Sequence, residues 1–260
     1  MIPHLTGMIH LGPLPGSPRY RDDLKAVIDR AVTDARVLAN AGFDALMVEN
    51  FGDTPFFADD VPKLTIAAMT RAVQSVADAV DLPLGVNVLR NDALGALAVA
   101  AATGAAFVRV NVLSGLMYTD QGPIVGRAAE VVRAREQIAP EVAIFADVFV
   151  KHATPPPGSS VAQSTEDLVE RGLADAVVVS GTSTGRQPDL SHIEDVRSAA
   201  GSVPVLVGSG ATEAALDDLL AVAHGVIVGT SLKVGDATSA VDEMKAASFV
   251  SAAREALGQA

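Results

Sequence analysis

The chain has 260 residues, 49% of them apolar, a formal net charge of −12 and no cysteine. The length fits one large α/β barrel or two smaller domains, and the acidity argues against nucleic acid as the main partner, because a phosphate backbone needs clustered Lys and Arg. Without cysteine there is no disulfide framework, thiolate metal site or cysteine nucleophile, and with no basic leader in residues 1–10 and no apolar run of spanning length a cytoplasmic protein without a transmembrane segment is expected.

Taken in chain order, eight short Val-rich runs read as strands: 5–10, 45–49, 84–89, 107–111, 142–148, 176–180, 205–208 and 226–229. They are almost continuously apolar, as strands covered on both faces should be. Helical stripes lie between them. Leu24, Val27, Ile28, Ala31, Ala35 and Leu38 form the first, Ile66, Met69, Val73, Val76 and Val80 the second, and Leu94, Leu97, Ala98 and Ala101 the third. Asn91, Thr212 and the pair Ser191 and Glu194 supply start signals. Gly42, Gly104, Gly172, Gly201 and Gly225 fall where helices should stop, and Pro83, Pro140 and Pro204 precede the third, fifth and seventh strands.

Eight β-α units without a break in composition predict one closed (β/α)8 barrel spanning 1–260. A doubly wound open sheet is the alternative, but the prolines in HLGPLPG (10–16) spoil the glycine fingerprint that fold needs after its first strand. Residues 153–163, with three consecutive prolines, read as a long loop.

In such a barrel the polar groups at the C-terminal strand ends face the active-site mouth. His10 ends the first strand and Glu49 and Asn50 the second. Asn87 and Arg90 belong to the third, Arg109 and Asn111 to the fourth, Asp147, Lys151 and His152 to the fifth. Ser180 and Gly181 end the sixth, followed by Thr182, Ser183, Thr184 and Gly185. Period-2 alternation places Glu49 on a face with Ala45 and Met47, Arg109 and Asn111 with Phe107, and Asp147 with Lys151. Charges inside apolar strands are costly unless partnered, so the ring points to a site, with pairing of Arg109 to Glu49 or Asp147 as the structural alternative.

Glu49 and Asp147 are the candidate acid/base groups, tuned by Arg109. Asp147→Asn is expected to abolish turnover and spare the fold. Lys151 suits an anion anchor or a Schiff base, the former preferred because nothing in the sequence depresses its pKa. His10 and His152 are further acid/base candidates. Asn50, Asn87, Arg90, Asn111, His152, Ser180 and Gly181 are expected to contact substrate. Glu49, Asp147 and a histidine are compatible with a divalent metal, but no spaced ligand signature supports one, so the cofactor is unknown.

Gly208-Ser209-Gly210 follows the seventh strand and Gly229-Thr230-Ser231 the eighth. Turns of this kind aim backbone N–H groups at an anion, and this is the usual phosphate position of the barrel. Backbone donors are expected to dominate, with the hydroxyls of Ser209, Thr230 and Ser231 adding to them and Lys233 either solvated or supplying charge. The expected partner is a small phosphorylated metabolite; a homo-oligomer is compatible with the sequence.

The motifs MIHLGPLPGSP (8–18), VENFGDTPF (48–56), GVNVLRND (85–92), FVRVN (107–111), ADVFVKH (146–152), VSGT (179–182), TG (184–185), GSG (208–210) and IVGTSLK (227–233) together resemble the BtpA (BtpA/SgcQ) family over almost the whole chain. The resemblance implies a ribulose-phosphate-binding type of barrel. The family takes its name from a role in photosystem I biogenesis, and other members look like parts of sugar or nucleoside utilisation systems. Two functions follow as expectations. One is an enzyme of isomerase, lyase or glycosidic-bond type acting on a phosphorylated sugar or nucleotide-like metabolite. The other is a non-catalytic assembly factor that keeps the pocket as a sensor.

Overall fold

The computed structural model describes residues 2–21, 23–181 and 188–259. In chain order the main elements are β1 (Leu5–His10), α1 (Leu24–Ala41), β2 (Ala45–Glu49), α2 (Lys63–Ala77), β3 (Leu84–Asn87), α3 (Ala93–Thr103) and β4 (Phe107–Val110). There follow β5 (Leu116–Thr119), β6 (Gly122–Val125), α4 (Ala128–Ile138), β7 (Ala143–Val148), β8 (Ala153–Thr154) and α5 (Val161–Glu166). The chain ends with β9 (Ala176–Val179), α6 (Leu190–Ala200), β10 (Val205–Val207), α7 (Leu216–Val222), β11 (Gly225–Val228) and α8 (Glu243–Ala256).

The strands close into a parallel barrel in the order β1-β11-β10-β9-β7-β4-β3-β2. These are the eight strands expected from the sequence, with ends shifted by one or two residues. The outward residues, such as Ile9, Val48, Val108 and Val179, join the helices in the main core. The inward residues Met8, Met47, Phe107, Phe145, Val178, Leu206 and Ile227 fill the barrel itself. Phe107 stacks on Phe145 with ring centroids 4.5 Å apart, which plugs the interior below the mouth. No described helix is long and apolar enough to cross a membrane.

Several local expectations need correction. The side-chain cap of α3 is Asp92, which accepts from Gly95 N, not Asn91; α6 starts after Asp189, so Ser191 lies inside the helix. Gly42 and Gly104 end α1 and α3 in left-handed conformation as expected, but Gly225 lies inside β11. The stretch 153–163 is not one loop: Thr154 pairs with Tyr118, and Ser160 caps α5. β5, β6 and β8 form a small antiparallel sheet that the strand pattern missed. It has its own apolar cluster of Val112, Met117, Ile124 and Val150, and it sits beyond the ends of β4 and β7, where Leu116 and Met117 line a separate cavity of about 330 Å³ with Asn111 and Asp147.

Candidate functional site

The turns after β10 and β11 meet at one cavity of about 220 Å³. Gly208, Ser209 and Gly210 line one side and Gly229, Thr230 and Ser231 the other, so the two glycine turns come together as the sequence suggested. His10, Glu49, Arg109 and Lys151 complete the wall. The three hydroxyls are not equivalent. Ser231 donates to Ala211 O at 2.8 Å and so ties the two turns together rather than facing an anion. Ser209 is buried and its hydroxyl has no hydrogen-bond partner among the described residues. An orphaned hydroxyl in a polar cavity is a cost that a ligand removes. Gly229 is required by close approach, because a Cβ there would stand 2.8 Å from His10 Cε1. Gly210 sits at φ 80°, a backbone that L side chains rarely adopt.

Two expectations about charge change. The anion turns are not free of cations: Arg109 Nη2 would be 2.8 Å from a Cβ on Gly208. Lys233 is neither solvated nor in the cavity wall. It is buried and pairs with Asp34 of α1 at 3.3 Å, burial having lowered its pKa. Asp34 also accepts from Val241 N and Arg30 Nε, so the pair staples the segment after β11 to α1.

The layer beneath the cavity is a closed network. Arg109 holds Asp147 bidentately, Nε to Oδ2 at 2.8 Å and Nη2 to Oδ1 at 2.7 Å. Asn111 Nδ2 donates to Oδ2 at 2.9 Å and Ser180 Oγ to Oδ1 at 3.3 Å. Each carboxylate oxygen thus has two donors. Asp147 is a partner for Arg109, not a free acid/base group, and Ser180 serves the same pair. Asn87 Nδ2 donates to Arg109 O while its Oδ1 is buried without a partner. Asn50 faces away from the mouth: its Oδ1 accepts from Leu89 N at 2.7 Å, and its Nδ2 donates to Asp53. Gly181 is buried beside this layer in sequence, and Thr182, Ser183, Thr184 and Gly185 lie outside the described residues. With Asp147 committed, Glu49 and a histidine do not make a cation site with it, and no cluster of three His, Asp or Glu suited to a metal occurs among the described residues.

Glu49 is different. It is buried, lines the cavity, and its nearest titratable neighbour is His10, with Nε2 3.8 Å from Oε1. His10 Nδ1 lies 2.8 Å from Ala237 O, and since a carbonyl can only accept, Nδ1 carries the proton. The neutral ring therefore turns an Nε2 lone pair toward Glu49. Phe51 stacks on the ring at 4.6 Å. Burial lowers the His10 pKa from 6.5 against the opposing pull of Glu49. A depressed folded pKa means that the unfolded chain takes up a proton first as pH falls below 6.5. Stability is expected to drop below that pH by up to about 1.4 kcal/mol per pH unit. Denaturant titrations of wild type and His10→Asn from pH 7.5 to 5 check this; equal slopes in both would reject it.

A second chamber of about 140 Å³ shares Glu49, Arg109 and Lys151 with the first and adds Arg90, Asn111 and His152. Arg90 Nη2 donates to Lys151 O at 2.5 Å. Phe51 and Phe56 supply aromatic walls, which no pattern of polar residues in the sequence signals. Contrary to the sequence reading, Lys151 does have a lowered pKa: burial is the largest cause, opposed by Glu49 and assisted by Arg109 and Arg90. The mouth is therefore a pair of adjoining chambers lined by one carboxylate without a hydrogen-bond donor and one amine without an acceptor among the described residues, and by the imidazoles of His10 and His152.

A sequence model described as the BtpA family matches residues 2–255. The chain is 46% identical over 254 residues to the Photosystem I biogenesis protein BtpA of Synechocystis sp., covering 97% of this chain and 88% of that protein. It is 44% identical over 252 residues to the uncharacterized protein MJ1115 of Methanocaldococcus jannaschii, covering 96% and 95%. Among solved structures, one described as native KDPGal matches with a TM-score of 0.61 at 17% identity, over 98% of this chain and 96% of that one. Phosphoribosyl anthranilate isomerase from Thermus thermophilus matches with a TM-score of 0.60 at 10% identity, over 96% and 98%. At such identities the likeness shows the fold alone, a (β/α)8 barrel.

Proposed function

This chain belongs to the BtpA family, and we propose that it is an enzyme that binds a phosphorylated sugar or nucleotide-like metabolite at the barrel mouth and transfers a proton with Glu49 and His10. The observation that carries this reading is the first cavity itself. An unpartnered buried Ser209 hydroxyl and two glycine turns face the same space as a carboxylate without hydrogen-bond donors. A phosphate at the turns would hold the rest of the ligand against Glu49 and His10, whose carboxylate and Nε2 lone pair suit abstraction of a proton next to a carbonyl. Hydrolysis of a glycosidic bond ordinarily uses two free carboxylates, and Asp147 is saturated. Isomerase or lyase chemistry therefore fits better. The phosphate-linked name of one structural neighbour, the phosphoribosyl anthranilate isomerase, agrees with this choice of ligand.

Inorganic phosphate binding by calorimetry tests the anion site. Ser209→Ala is expected to weaken it roughly 10–100-fold, the range for one hydrogen bond to a charged group. Undiminished affinity in that variant, or no phosphate binding by wild type, would move the anion elsewhere. Valine at Gly229 or Gly210 would be a poorer test, since it would press on His10 or strain the backbone.

A second reading is an assembly factor, the role named for the Synechocystis relative. It is favoured by Phe57 and Leu64, which are 58% and 55% exposed beside a further cavity of about 310 Å³ that Phe56 and Phe57 help to line. An assembly role requires that Phe57→Ser abolish it while phosphate binding persists.

A further inference from the structure

The lysines of this chain are accounted for one by one, except at the mouth. Lys25 pairs with Asp29 on the surface, Lys63 is exposed at the start of α2, Lys233 is bound to Asp34, and Lys245 Nζ donates to Lys233 O. Lys151 has no acceptor within hydrogen-bond or ion-pair distance of Nζ among the described residues, although the side chain forms part of the wall of both chambers. Its backbone is fixed from both sides. Phe149 and His152, neither a glycine, hold φ values of 48° and 57°, a left-handed conformation costing on the order of 1–3 kcal/mol each. Arg90 clamps the Lys151 carbonyl. The chain departs from β7 through this strained turn and delivers an amine to the junction of the two chambers.

We propose that Lys151 is a covalent nucleophile, its amine condensing with the carbonyl of a phosphorylated aldehyde or ketone to form an imine. The proposal rests on the reading of the mouth as a site for a phosphorylated ligand. A lysine kept only for its charge would be expected to sit against Glu49, yet no contact within 4.0 Å joins them, and the group nearest Glu49 is the neutral ring of His10. Burial and the flanking guanidinium groups of Arg109 and Arg90 favour the neutral amine, the form that attacks a carbonyl. With the phosphate held at the glycine turns, the remainder of the ligand extends toward the wall shared by the chambers, where Nζ and Glu49 both face it.

The step balances with Glu49 returning to its starting form. Glu49 takes one proton from the ammonium, and the freed lone pair on Nζ forms a bond to the carbonyl carbon while the carbonyl π pair moves to oxygen. Glu49 returns that proton to the oxygen, giving a carbinolamine. It then takes a second proton from Nζ and passes it to the hydroxyl, which leaves as water as the nitrogen lone pair closes the C=N bond. An ammonium and a carbonyl have become a protonated imine and one water, with no oxidant or reductant involved.

Reductive trapping tests this on the intact protein. Wild type is incubated with glyceraldehyde 3-phosphate and sodium cyanoborohydride, then digested and analysed by mass spectrometry. The expected result is near-stoichiometric modification of Lys151, suppressed by excess inorganic phosphate, well ahead of the exposed Lys25 and Lys63. Lys151→Arg should lose the adduct and still bind inorganic phosphate within a few-fold of wild type by calorimetry. Modification confined to Lys25 and Lys63, with phosphate binding intact, would overturn the imine and leave the phosphate site standing. A Lys151 adduct that forms equally well with unphosphorylated glyceraldehyde, in a protein that does not bind phosphate, would support the amine and overturn the phosphate reading. Loss of phosphate binding in Lys151→Arg would assign Lys151 to the anion and overturn the nucleophile.

Discussion

Asp147→Asn is expected to cost about 3–5 kcal/mol of stability, the penalty for leaving one member of a buried ion pair uncompensated. In a chain of this size that is a fall in Tm on the order of 10 °C. The geometry explains why a nearly isosteric change is so costly. Oδ1 receives Arg109 Nη2 and Ser180 Oγ, and Oδ2 receives Arg109 Nε and Asn111 Nδ2. Whichever oxygen becomes an NH2 group, a donor then faces a donor, and the Arg109 charge is left in the barrel with Glu49 as its other nearby counter-charge. Replacing both partners by apolar residues, as in Arg109→Met/Asp147→Leu, should recover most of the loss, because it removes the desolvation penalty together with the attraction. Urea unfolding of the three variants makes the comparison. If Asp147→Asn melts like wild type and loses only turnover, the carboxylate is an acid/base group after all and the network described above is incidental.

The expectation about Asp147 shows where sequence reasoning stops. Alternation along 107–111 correctly turned Phe107, Arg109 and Asn111 into the barrel, because a strand's period of 2 is a local property. Which carboxylate would take up Arg109 depended on register between β4 and β7, and both Glu49 and Asp147 were open from the sequence. Lys151 reached the mouth as expected, but not by alternation: β7 ends at Val148, and the left-handed turn at Phe149 and His152 carries the lysine there. Lys233 was misread because its partner, Asp34, lies 199 positions earlier, and no local pattern reports a contact of that range. The β5–β6 hairpin was missed because its four-residue strands mix Leu116 and Met117 with Tyr118 and Thr119, too short and too polar for a periodic signal. The barrel strands were legible for the opposite reason: each is a largely apolar run buried on both faces.

Glu49→Gln is expected to give the converse of Asp147→Asn, little or no loss of stability and a large loss of chemistry. Glu49 has no hydrogen-bond donor among the described residues, and its nearest titratable neighbour, the neutral His10 ring, is 3.8 Å away. Neutralising a buried carboxylate that accepts no hydrogen bond removes a desolvation cost, which offsets the loss of its attraction for Arg109, Arg90 and Lys151. Such a group is retained for function at the expense of stability. Removing a general acid/base group typically slows the reaction about 10²–10⁴-fold. Proton transfer next to a carbonyl can be followed as deuterium uptake from D2O into dihydroxyacetone phosphate by NMR. Wild type should exchange, and Glu49→Gln should exchange at least about 100-fold more slowly, with phosphate affinity and urea midpoint preserved. His10→Gln should retain part of the activity, since the imidazole lies behind Glu49 as its proton partner and is held by Ala237 O. Wild-type exchange in a folded Glu49→Gln protein would remove Glu49 from the chemistry, whereas no exchange by wild type itself would leave the mouth as a binding pocket, the arrangement that the assembly-factor reading requires.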